Sequence, residues 1–297
     1  MADMWLIITT LGRLREQTTL SNLPRALRRR TLLVCQHHEV DAHWQAHQPA
    51  CADVLALPDW VDNLGPTRQW LAEEFWGQKY VLLDDDLTFY RRERRDHWHL
   101  VESTDHDMCE MFEEIRDKLD DYAHVGVAGR EGHNHAAGYG VECVRYMRLL
   151  AYNSRLWPDH VRSDRVSGMS DFDVNLQLLR AGLPSYVFSR YGQGQGSTQA
   201  PGGCALNRTH ETHDREVDLL VAMHPGLVRK VRKQNRSGGE FGDRSEVVVS
   251  WKMALGHDLR GRSGGVQTGA AETDDEAADD EAADDEAASV AEESDAD

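Results

Sequence analysis

The sequence predicts an α/β protein in which a mostly parallel central sheet is flanked by helices in a Rossmann-like arrangement. Over the first 90 residues, short apolar segments rich in β-branched side chains alternate with helical segments, and this alternation is typical of parallel sheets. A hydrophobic share of 40% over 297 residues is sufficient for a large core. We therefore expect one folded domain over residues 1–258.

Four strands are predicted in the first part of this domain, at residues 5–9, 31–35, 53–57 and 80–83. A helical stretch that ends near Arg30 separates the first two strands, and a helix over residues 66–76 precedes the fourth. Three consecutive aspartates follow the fourth strand: Asp84, Asp85 and Asp86. Ligands of parallel α/β sheets bind beyond the carboxyl ends of the strands, so the aspartates lie where a ligand is expected.

The second part of the domain is less regular. Its pattern predicts helices over residues 107–122 and 171–181, and short strands over residues 124–127 and 186–188. Residues 191–203 are rich in Gly, Gln, Ser and Thr. This segment is too long and too polar for an ordinary connection, so it is a candidate functional loop.

A Gly/Ser linker and a disordered acidic repeat are predicted over residues 259–297. A five-residue Ala-Ala-Asp-Asp-Glu unit repeats there, and residues 272–297 contain fourteen acidic residues but no Lys or Arg. Dense like charge with few large apolar side chains predicts disorder. The rest of the chain then carries a net charge of only −4. A tail that only raises solubility and a regulatory or DNA-mimicking tail are both open interpretations.

Composition disfavours several classes of protein. No window approaches the ~20 apolar residues of a membrane-spanning helix, and the apolar run at residues 5–8 lacks the pattern of a signal peptide. The five cysteines are scattered singly without a CxxC pair, so they do not indicate a zinc ribbon or a disulfide framework. We expect a cytosolic protein with no membrane partner, and the sequence leaves its oligomeric state open.

The strongest indication of chemistry is the run Val-Leu-Leu-Asp-Asp-Asp-Leu-Thr-Phe at residues 81–89. Carboxylates two apart at the end of a strand, here Asp84 and Asp86, can share one hard divalent cation. Such a cation, Mn²⁺ or Mg²⁺, keeps coordination positions open for substrate phosphates, which suits a diphosphate leaving group. The alternative is a solvated acidic turn after an edge strand.

A second acidic motif begins the helix predicted at residue 171. Asp171 and Asp173 lie in its first turn, and an apolar helix ending in Arg-Ala-Gly follows. Alone, this motif fits an ordinary helix start. Together with the aspartate run it resembles the GT-A glycosyltransferases, whose later helix commonly begins Glu-Asp and whose aspartate there supplies the base. Ser170 occupies the glutamate position in this chain and Asp171 the catalytic position.

A closer resemblance is to the phage-encoded TET-associated glycosyltransferases, over roughly residues 4–255. Besides the aspartate run, it is carried by Asn-Leu-Gly-Pro-Thr-Arg-Gln-Trp at residues 63–70, by residues 125–134, by Gly-Gly-Cys at 202–204 before Arg208, and by His-Pro-Gly-Leu-Val at 224–228. The resemblance implies transfer from a UDP-sugar, with UDP-glucose expected, to the hydroxyl of 5-hydroxymethylcytosine, a hydroxymethylated pyrimidine, in phage DNA. It also implies action in the host cytoplasm.

The resemblance implies roles for single residues as well. The residues expected to contact the donor nucleotide are Thr9, Thr10, Gly12, Arg13, Arg68, Asp84 and Asp85. The loop after the first strand would meet the base and ribose, and Arg68 would meet the diphosphate as a fork-shaped donor. The alternatives are a plain turn at Gly12, a solvated helix start at Arg13 and a surface salt bridge at Arg68.

The expected mechanism joins the two acidic motifs. The cation held by Asp84 and Asp86 withdraws charge from the leaving nucleoside diphosphate, while Asp171 takes the proton of the attacking hydroxyl. A single base opposite the leaving group implies inversion at the anomeric carbon. Two alternatives remain open: a GT-A enzyme acting on a glycan, protein or small molecule, and a non-catalytic nucleotide-binding module.

Histidines supply further candidates. The pairs His43/His47 and His133/His135 have no third ligand at fitting spacing, which favours ordinary histidines over a transition-metal site. The resemblance implies that a late histidine joins the metal shell, and the sequence does not choose among His210, His213 and His224.

Two basic clusters are candidates for contacts to DNA phosphates, with a solvated surface as the alternative. The first contains Arg91, Arg92, Arg94 and Arg95, and the second contains Arg229, Lys230, Arg232, Lys233 and Arg236. Neither cluster interleaves aromatic residues, which disfavours a stacking platform for single strands. A base hydroxyl in a duplex would be reached by flipping the nucleotide out of the stack.

Overall fold

A computed structural model of the chain describes residues 4–48, 50–93, 99–130, 139–195, 209–233 and 243–257. The strands are β1 Met4–Thr9, β2 Thr31–Gln36, β3 Asp53–Leu57, β4 Lys79–Asp84, β5 Leu87–Arg92, β6 Leu100–Glu102, β7 His124–Gly129, β8 Gly140–Glu142, β9 Leu149–Asn153, β10 Ser185–Gln195, β11 Val228–Lys233 and β12 Arg244–Val249. The helices are α1 Thr18–Asn22, α2 Arg25–Arg28, α3 Val40–His47, α4 Leu64–Glu74, α5 Asp105–Lys118, α6 Ser170–Arg180, α7 His210–Met223 and α8 Trp251–Ala254.

The main sheet has the strand order β3-β2-β1-β4-β9-β7-β10-β5-β6, with β8 also paired to β10. Strands β1 to β4, β6, β7 and β10 run in one direction, whereas β5, β8 and β9 run in the opposite one. The predicted α/β class with a mostly parallel sheet is confirmed. Strand β9 lies antiparallel between β4 and β7, so its first residue is beside the carboxyl end of β4.

Two apolar cores cover the two faces of this sheet. Successive residues of β1 alternate between them, with Leu6 and Ile8 in one core and Ile7 in the other, as the two-residue period of a strand requires. Helix α5 contributes Phe112 to the first core, and helices α4 and α6 pack on the second, α6 through Val174. Both faces of the sheet are thus covered.

A third apolar cluster joins the later part of the chain to α6. It contains Leu176 of α6, Leu220 of α7, Val228 and Val247 of the β11–β12 hairpin, and Trp251 of α8. The two hairpin strands pair only with each other in the described structure. The sequence patterns had not predicted α7, the hairpin or α8, because their apolar faces are short and are completed only by contact with α6.

The structure corrects the predicted helix that ends near Arg30. Two short helices, α1 and α2, replace it, and Leu23 between them is extended with φ −65° and ψ 136°. Pro24 is the cause, since a proline disfavours a helical conformation in the residue before it. Helix α4 begins at Leu64 rather than residue 66, with Asn63 capping it through a side-chain bond to Leu64 N–H.

The predicted loop at 191–203 is also corrected in part. Strand β10 continues to Gln195 and pairs with β5 there, so residues 191–195 belong to the sheet. The remainder of that loop and the tail at 259–297 lie outside the described residues. No helix among the described residues is long and apolar enough to cross a membrane.

Candidate active site

The aspartate run ends β4 at the edge of the sheet where β1 also ends. Thr9 is the register partner of Asp84, so the loop after β1 runs beside the aspartates. Thr10 and Asp85 are buried, whereas Asp84 and Asp86 are only partly buried. The structure therefore brings together the first loop and the aspartate run, as the sequence predicted.

Asp85 ties the first loop to the aspartate run. Thr10 Oγ1 donates a hydrogen bond to Asp85 Oδ2 at 2.6 Å, and Arg13 Nη1 donates to Asp85 Oδ1 at 2.6 Å and to Asp86 Oδ2 at 2.9 Å. Gln17 Nε2 donates in turn to Thr10 Oγ1 at 2.8 Å. Both carboxylate oxygens of Asp85 are thus engaged by the protein itself, and burial raises the pKa of Asp85 while these donors oppose the rise.

Gly12 turns the first loop. Its φ is +68°, a left-handed conformation that glycine adopts without a steric penalty. Its N–H donates to Glu39 Oε1 at 2.8 Å. The loop is therefore fixed at two points, by Glu39 and by Asp85.

Thr19 fixes the backbone of the aspartate turn. Its N–H donates to Asp85 O at 3.0 Å and its Oγ1 donates to Asp84 O at 2.6 Å. Leu87 N–H donates back to Thr19 Oγ1 at 2.7 Å. These bonds hold the backbone from which the Asp84 and Asp86 side chains extend.

Asp84 is an unusual carboxyl group. Burial raises its pKa to about 7, Arg68 and Arg148 act in the opposite direction, and Asp85 and Asp86 add to the rise. A nearby divalent cation would favour the charged form. Within the described residues, no group of three or more His, Cys, Asp or Glu side chains is arranged to hold a metal ion.

Arg68 links the aspartate run to the second acidic motif. It is buried in α4, and its Nη1 donates to Ser170 Oγ at 2.7 Å and lies 3.8 Å from Asp171 Oδ1. Its charge also acts on Asp84. The Arg68 charge therefore acts on both the proposed metal-binding carboxylate and the proposed base, which makes Arg68 a buried partner rather than a surface salt bridge.

The first turn of α6 is held on its other side by Asp173. That side chain is fully buried and accepts hydrogen bonds from Arg165 Nη2 at 2.9 Å and Gln177 Nε2 at 2.9 Å. His224 Nε2 lies 2.8 Å from its Oδ1. Because Asp171 and Asp173 are two residues apart on a helix, these contacts fix the helix while leaving Asp171 facing the site.

The three late histidines occupy different places. Both ring nitrogens of the buried His224 are engaged, one by Asp173 and the other 3.2 Å from Arg180 Nη1. His213 is buried and its Nε2 lies 2.8 Å from Ser245 O in β12. His210 is exposed in the first turn of α7. These contacts leave His210 as the candidate with an exposed side chain, and its role as a ligand stays a prediction.

Tyr146 and His124 form a buried polar pair, and the charge of Asp171 acts on Tyr146. Tyr146 OH is 2.8 Å from His124 Nδ1, and His124 Nε2 is 3.0 Å from Leu183 O. Burial lowers the pKa of His124 to about 4, so the ring is neutral. A carbonyl only accepts, so Nε2 carries the proton, and Nδ1 accepts from Tyr146. Burial, Tyr152 and Asp171 all raise the pKa of Tyr146.

Three residues at the site were not predicted from the sequence: Arg148, Tyr146 and Gln17. Gln17 carried no motif, and its position beside Thr10 depends on the turn at Gly12. Arg148 and Tyr146 precede β9, whose antiparallel insertion next to β4 brings them to the site. The apolar run Leu-Leu-Ala-Tyr at residues 149–152 was a possible strand signal.

The first basic cluster is corrected by the structure. Arg92 is buried, and its Nε donates to Ser189 O at 2.7 Å, so it does not face DNA. Arg91 forms an ion pair with Asp107 at 2.8 Å. Arg94 and Arg95 lie outside the described residues. Strand β5 is paired on both sides, by β10 and β6, which explains why a charged run in the sequence is partly enclosed.

The second basic cluster lies on the β11–β12 hairpin. Arg229 and Arg232 are exposed, and Lys230 forms an exposed ion pair with Asp218 of α7 at 2.7 Å. Arg236 lies outside the described residues, as do His133 and His135. His43 is buried, with its ring centroid 5.7 Å from that of His47.

Comparison with protein families identifies the chain. The sequence model of the TET-associated glycosyltransferase family matches residues 4–203 of this chain. These residues contain β1, the aspartate run and all of α6. The chain belongs to this family. It is a glycosyltransferase, and the predicted family and enzyme class are confirmed.

Two phage proteins are related to this TET-associated glycosyltransferase. Each is named beta-glucosyl-HMC-alpha-glucosyl-transferase, one from Enterobacteria phage T2 and the other from Enterobacteria phage T6. Each is 22% identical over 236 residues, which covers 75% of this chain and 82% of the relative.

Two solved structures show a weaker likeness to this TET-associated glycosyltransferase. A glucose-1-phosphate thymidylyltransferase from Bacillus anthracis is 11% identical with a TM-score of 0.34, covering 62% of this chain and 85% of its own. A mannose-1-phosphate geranyltransferase from Thermus thermophilus is 14% identical with a TM-score of 0.29, covering 65% and 57%. At these TM-scores, the two structures do not indicate a function for this chain.

Proposed function

We propose that this chain is a metal-dependent GT-A glycosyltransferase that moves a sugar from a UDP-sugar, with UDP-glucose as the expected donor, to the hydroxyl of 5-hydroxymethylcytosine in DNA. The observation that carries the proposal is that buried Arg68 lies 3.8 Å from Asp171 and its charge also acts on Asp84. The names of the two phage relatives support the acceptor.

Asp84 and Asp86 are the proposed ligands of Mn²⁺ or Mg²⁺. The donor set fits, because both are oxygen ligands, which hard cations prefer, and Asp85 between them is already engaged by Thr10 and Arg13. Two protein carboxylates leave coordination positions for diphosphate oxygens. Bound there, the cation supplies Lewis-acid stabilisation of the leaving diphosphate.

The first loop is the proposed nucleotide site. Thr9, Thr10, Gly12 and Arg13 lie beside the aspartate run and would meet the base and ribose of the donor. Asp85 acts on this loop through Thr10 and Arg13, because its own carboxylate oxygens are occupied. Donor binding and metal binding therefore share one rigid network.

Asp171 is the proposed general base. It takes the proton of the hydroxymethyl group as that oxygen attacks the anomeric carbon, and the bond from that carbon to the diphosphate oxygen breaks. Direct attack by the acceptor, assisted by one base, inverts the anomeric configuration. Ser170 and Arg68 fix the start of α6 at the site, while Asp173 fixes its far side.

The DNA is proposed to contact the β11–β12 hairpin. Arg229 and Arg232 are exposed there, and among the described residues neither has an ion-pair partner. The hairpin packs on α6, whose first turn carries Asp171. A two-stranded ribbon also fits the major groove of B-DNA.

An Asp171→Asn variant tests the proposal. Loss of the base should lower sugar transfer by roughly 10²- to 10⁴-fold. Binding of UDP in the presence of manganese, measured by calorimetry, should stay near the wild-type value because Asp171 belongs to the acceptor side. Unchanged transfer would exclude Asp171 as the base, and absence of any transfer by the wild type to DNA, glycans or water would favour the non-catalytic alternative.

A further inference from the structure

Arg148 occupies a constrained place beside the aspartate run. It is the residue before β9, and its carbonyl accepts a hydrogen bond from Asp84 N–H at 3.0 Å. Leu149 N–H donates to Met147 O at 2.6 Å across the same turn. The backbone of Arg148 is therefore tied to the end of β4, and its side chain leaves the chain at the catalytic edge of the sheet.

The backbone of Arg148 is strained. Its φ is +65°, in the left-handed region that favours glycine, and only Cys143 shares this property among the other non-glycine residues described. A β-carbon is unfavourable in this conformation. Strain of this kind tends to occur at binding and catalytic sites, where a particular side chain is needed.

The Arg148 guanidinium has no partner among the residues that the structure describes. Among the described residues, no hydrogen bond or ion pair involves its side chain, although it is partly buried. The other arginines of the site differ, since Arg13 pairs with Asp85 and Arg68 bonds to Ser170. The charge of Arg148 acts on Asp84 through space. A partly desolvated, unpaired cation next to a proposed diphosphate site is suited to binding an anion.

We propose that Arg148 binds the diphosphate of the sugar donor and stabilises the charge that develops on it as the sugar leaves. The inference rests on the proposed function of the site. When the bond between the anomeric carbon and the diphosphate oxygen breaks, its electron pair goes to that oxygen, and the guanidinium offers N–H donors to the resulting charge. Arg13 bonds to protein carboxylates and Arg68 bonds to a protein hydroxyl through Nη1, so Arg148 adds a further guanidinium to the expected contact of Arg68 with the diphosphate.

The test uses two substitutions that suit the backbone. Arg148→Asn keeps a residue type that tolerates a positive φ, and Arg148→Gly relieves the strain. Both remove the cation. We expect the melting temperature of Arg148→Gly to equal or exceed that of the wild type, while affinity for UDP and for inorganic diphosphate, each with manganese, falls roughly ten- to a hundredfold in both variants.

Arg155→Asn is the matched control. Arg155 is exposed and follows the opposite end of β9, so the control removes one arginine at the edge away from the site. Its affinities should match the wild type. Wild-type affinities in both Arg148 variants would overturn the inference, as would a wild type that binds neither probe.

A separate assay distinguishes this inference from the proposed function. Sugar transfer to DNA that contains 5-hydroxymethylcytosine is measured with the wild type alone. Failure of that transfer with retained, Arg148-dependent diphosphate binding would remove the acceptor proposal and leave the role of Arg148 standing. Normal sugar transfer, together with diphosphate binding that does not depend on Arg148, would keep the acceptor proposal and remove the role of Arg148.

Discussion

Arg13 shows how one side chain joins the proposed donor binding to the architecture of the site. Its guanidinium bonds to Asp85 and Asp86, and Thr10 bonds to the same Asp85. The residues that the sequence placed near the donor are therefore also the residues that hold the aspartate run. A substitution of one of these residues would therefore alter both the proposed donor binding and the position of the aspartates.

Asp85→Asn tests the link between Asp85 and the first loop. The amide keeps the shape but loses the charge that holds Arg13, and a charge-assisted hydrogen bond is worth about 1.5–3 kcal/mol. We expect KM for the donor to rise by roughly tenfold or more while kcat changes less. Steady-state kinetics measure both. A fall in kcat with no change in KM would contradict the assignment.

His124 predicts a specific pH dependence of stability. Its pKa falls from 6.5 to about 4 on folding because the ring is buried. The unfolded chain therefore binds more protons in this interval, and stability is lost as the pH falls from about 6.5 towards 4, by up to about 3 kcal/mol. Urea unfolding across this range measures the effect.

His124→Gln is the comparison for that measurement. Glutamine can still accept from Tyr146 and donate to Leu183 O, but it does not titrate. The difference between their free energies of unfolding at each pH gives the contribution of His124, separate from that of other groups that titrate at acidic pH. Parallel stability curves for the variant and the wild type between pH 4 and 6.5 would show that His124 is not buried as a neutral ring.

Strand β7 and the turn before β9 pack closely enough to leave no room for a side chain at Gly126. A β-carbon added there would lie 2.5 Å from Tyr146 Cβ. Tyr146 bonds to His124 and its ionisation is affected by Asp171. The position of Tyr146 thus depends on a glycine in the neighbouring strand β7.

Gly126→Ala should lower the free energy of unfolding by about 1–3 kcal/mol through overpacking. Gly129→Ala, on the same strand, should be nearly neutral, because no atom lies within 4 Å of a β-carbon built there. Chemical denaturation of both variants measures the contrast. Equal stability of the two variants would show that Tyr146 moves aside without cost.

Elements with a complete local pattern were predictable from the sequence. Strand β4 is a continuous apolar run followed by aspartates, and α6 has an acidic start and a long apolar face. The position of Arg148 was not predictable, because it depends on the insertion of β9 between β4 and β7, a long-range pairing. The prediction of Arg92 as a candidate DNA contact was wrong, because its burial results from pairing of β5 on both sides.

The charge of the molecule is concentrated in the acidic residues 272–297, whereas residues 1–271, here called the body, have nearly balanced charges. The body carries a net charge of −4, so the proposed contact with DNA depends on local basic surface rather than on overall charge. The β11–β12 hairpin provides such a surface beside α6, where it is joined to the fold through the third apolar cluster. The proposed base and the proposed DNA contact therefore belong to one packed unit.

The double substitution Arg229→Gln/Arg232→Gln tests this surface. Each lost phosphate contact should reduce the slope of log affinity against log salt by about one. Fluorescence anisotropy with duplex DNA at several salt concentrations measures the slope. The control is Arg25→Gln/Arg29→Gln, two exposed arginines near α2. An identical salt dependence in both double variants would exclude the hairpin as the DNA contact.

Sugar transfer to DNA is tested by the mass of the nucleosides in DNA after incubation with the protein, UDP-glucose and manganese. The proposed function predicts a hexose on 5-hydroxymethylcytosine, none on the cytosine of unmodified DNA, and loss of the product with Asp171→Asn. Hydrolysis of UDP-glucose at the same rate with and without modified DNA, with no hexose on any base, would contradict it.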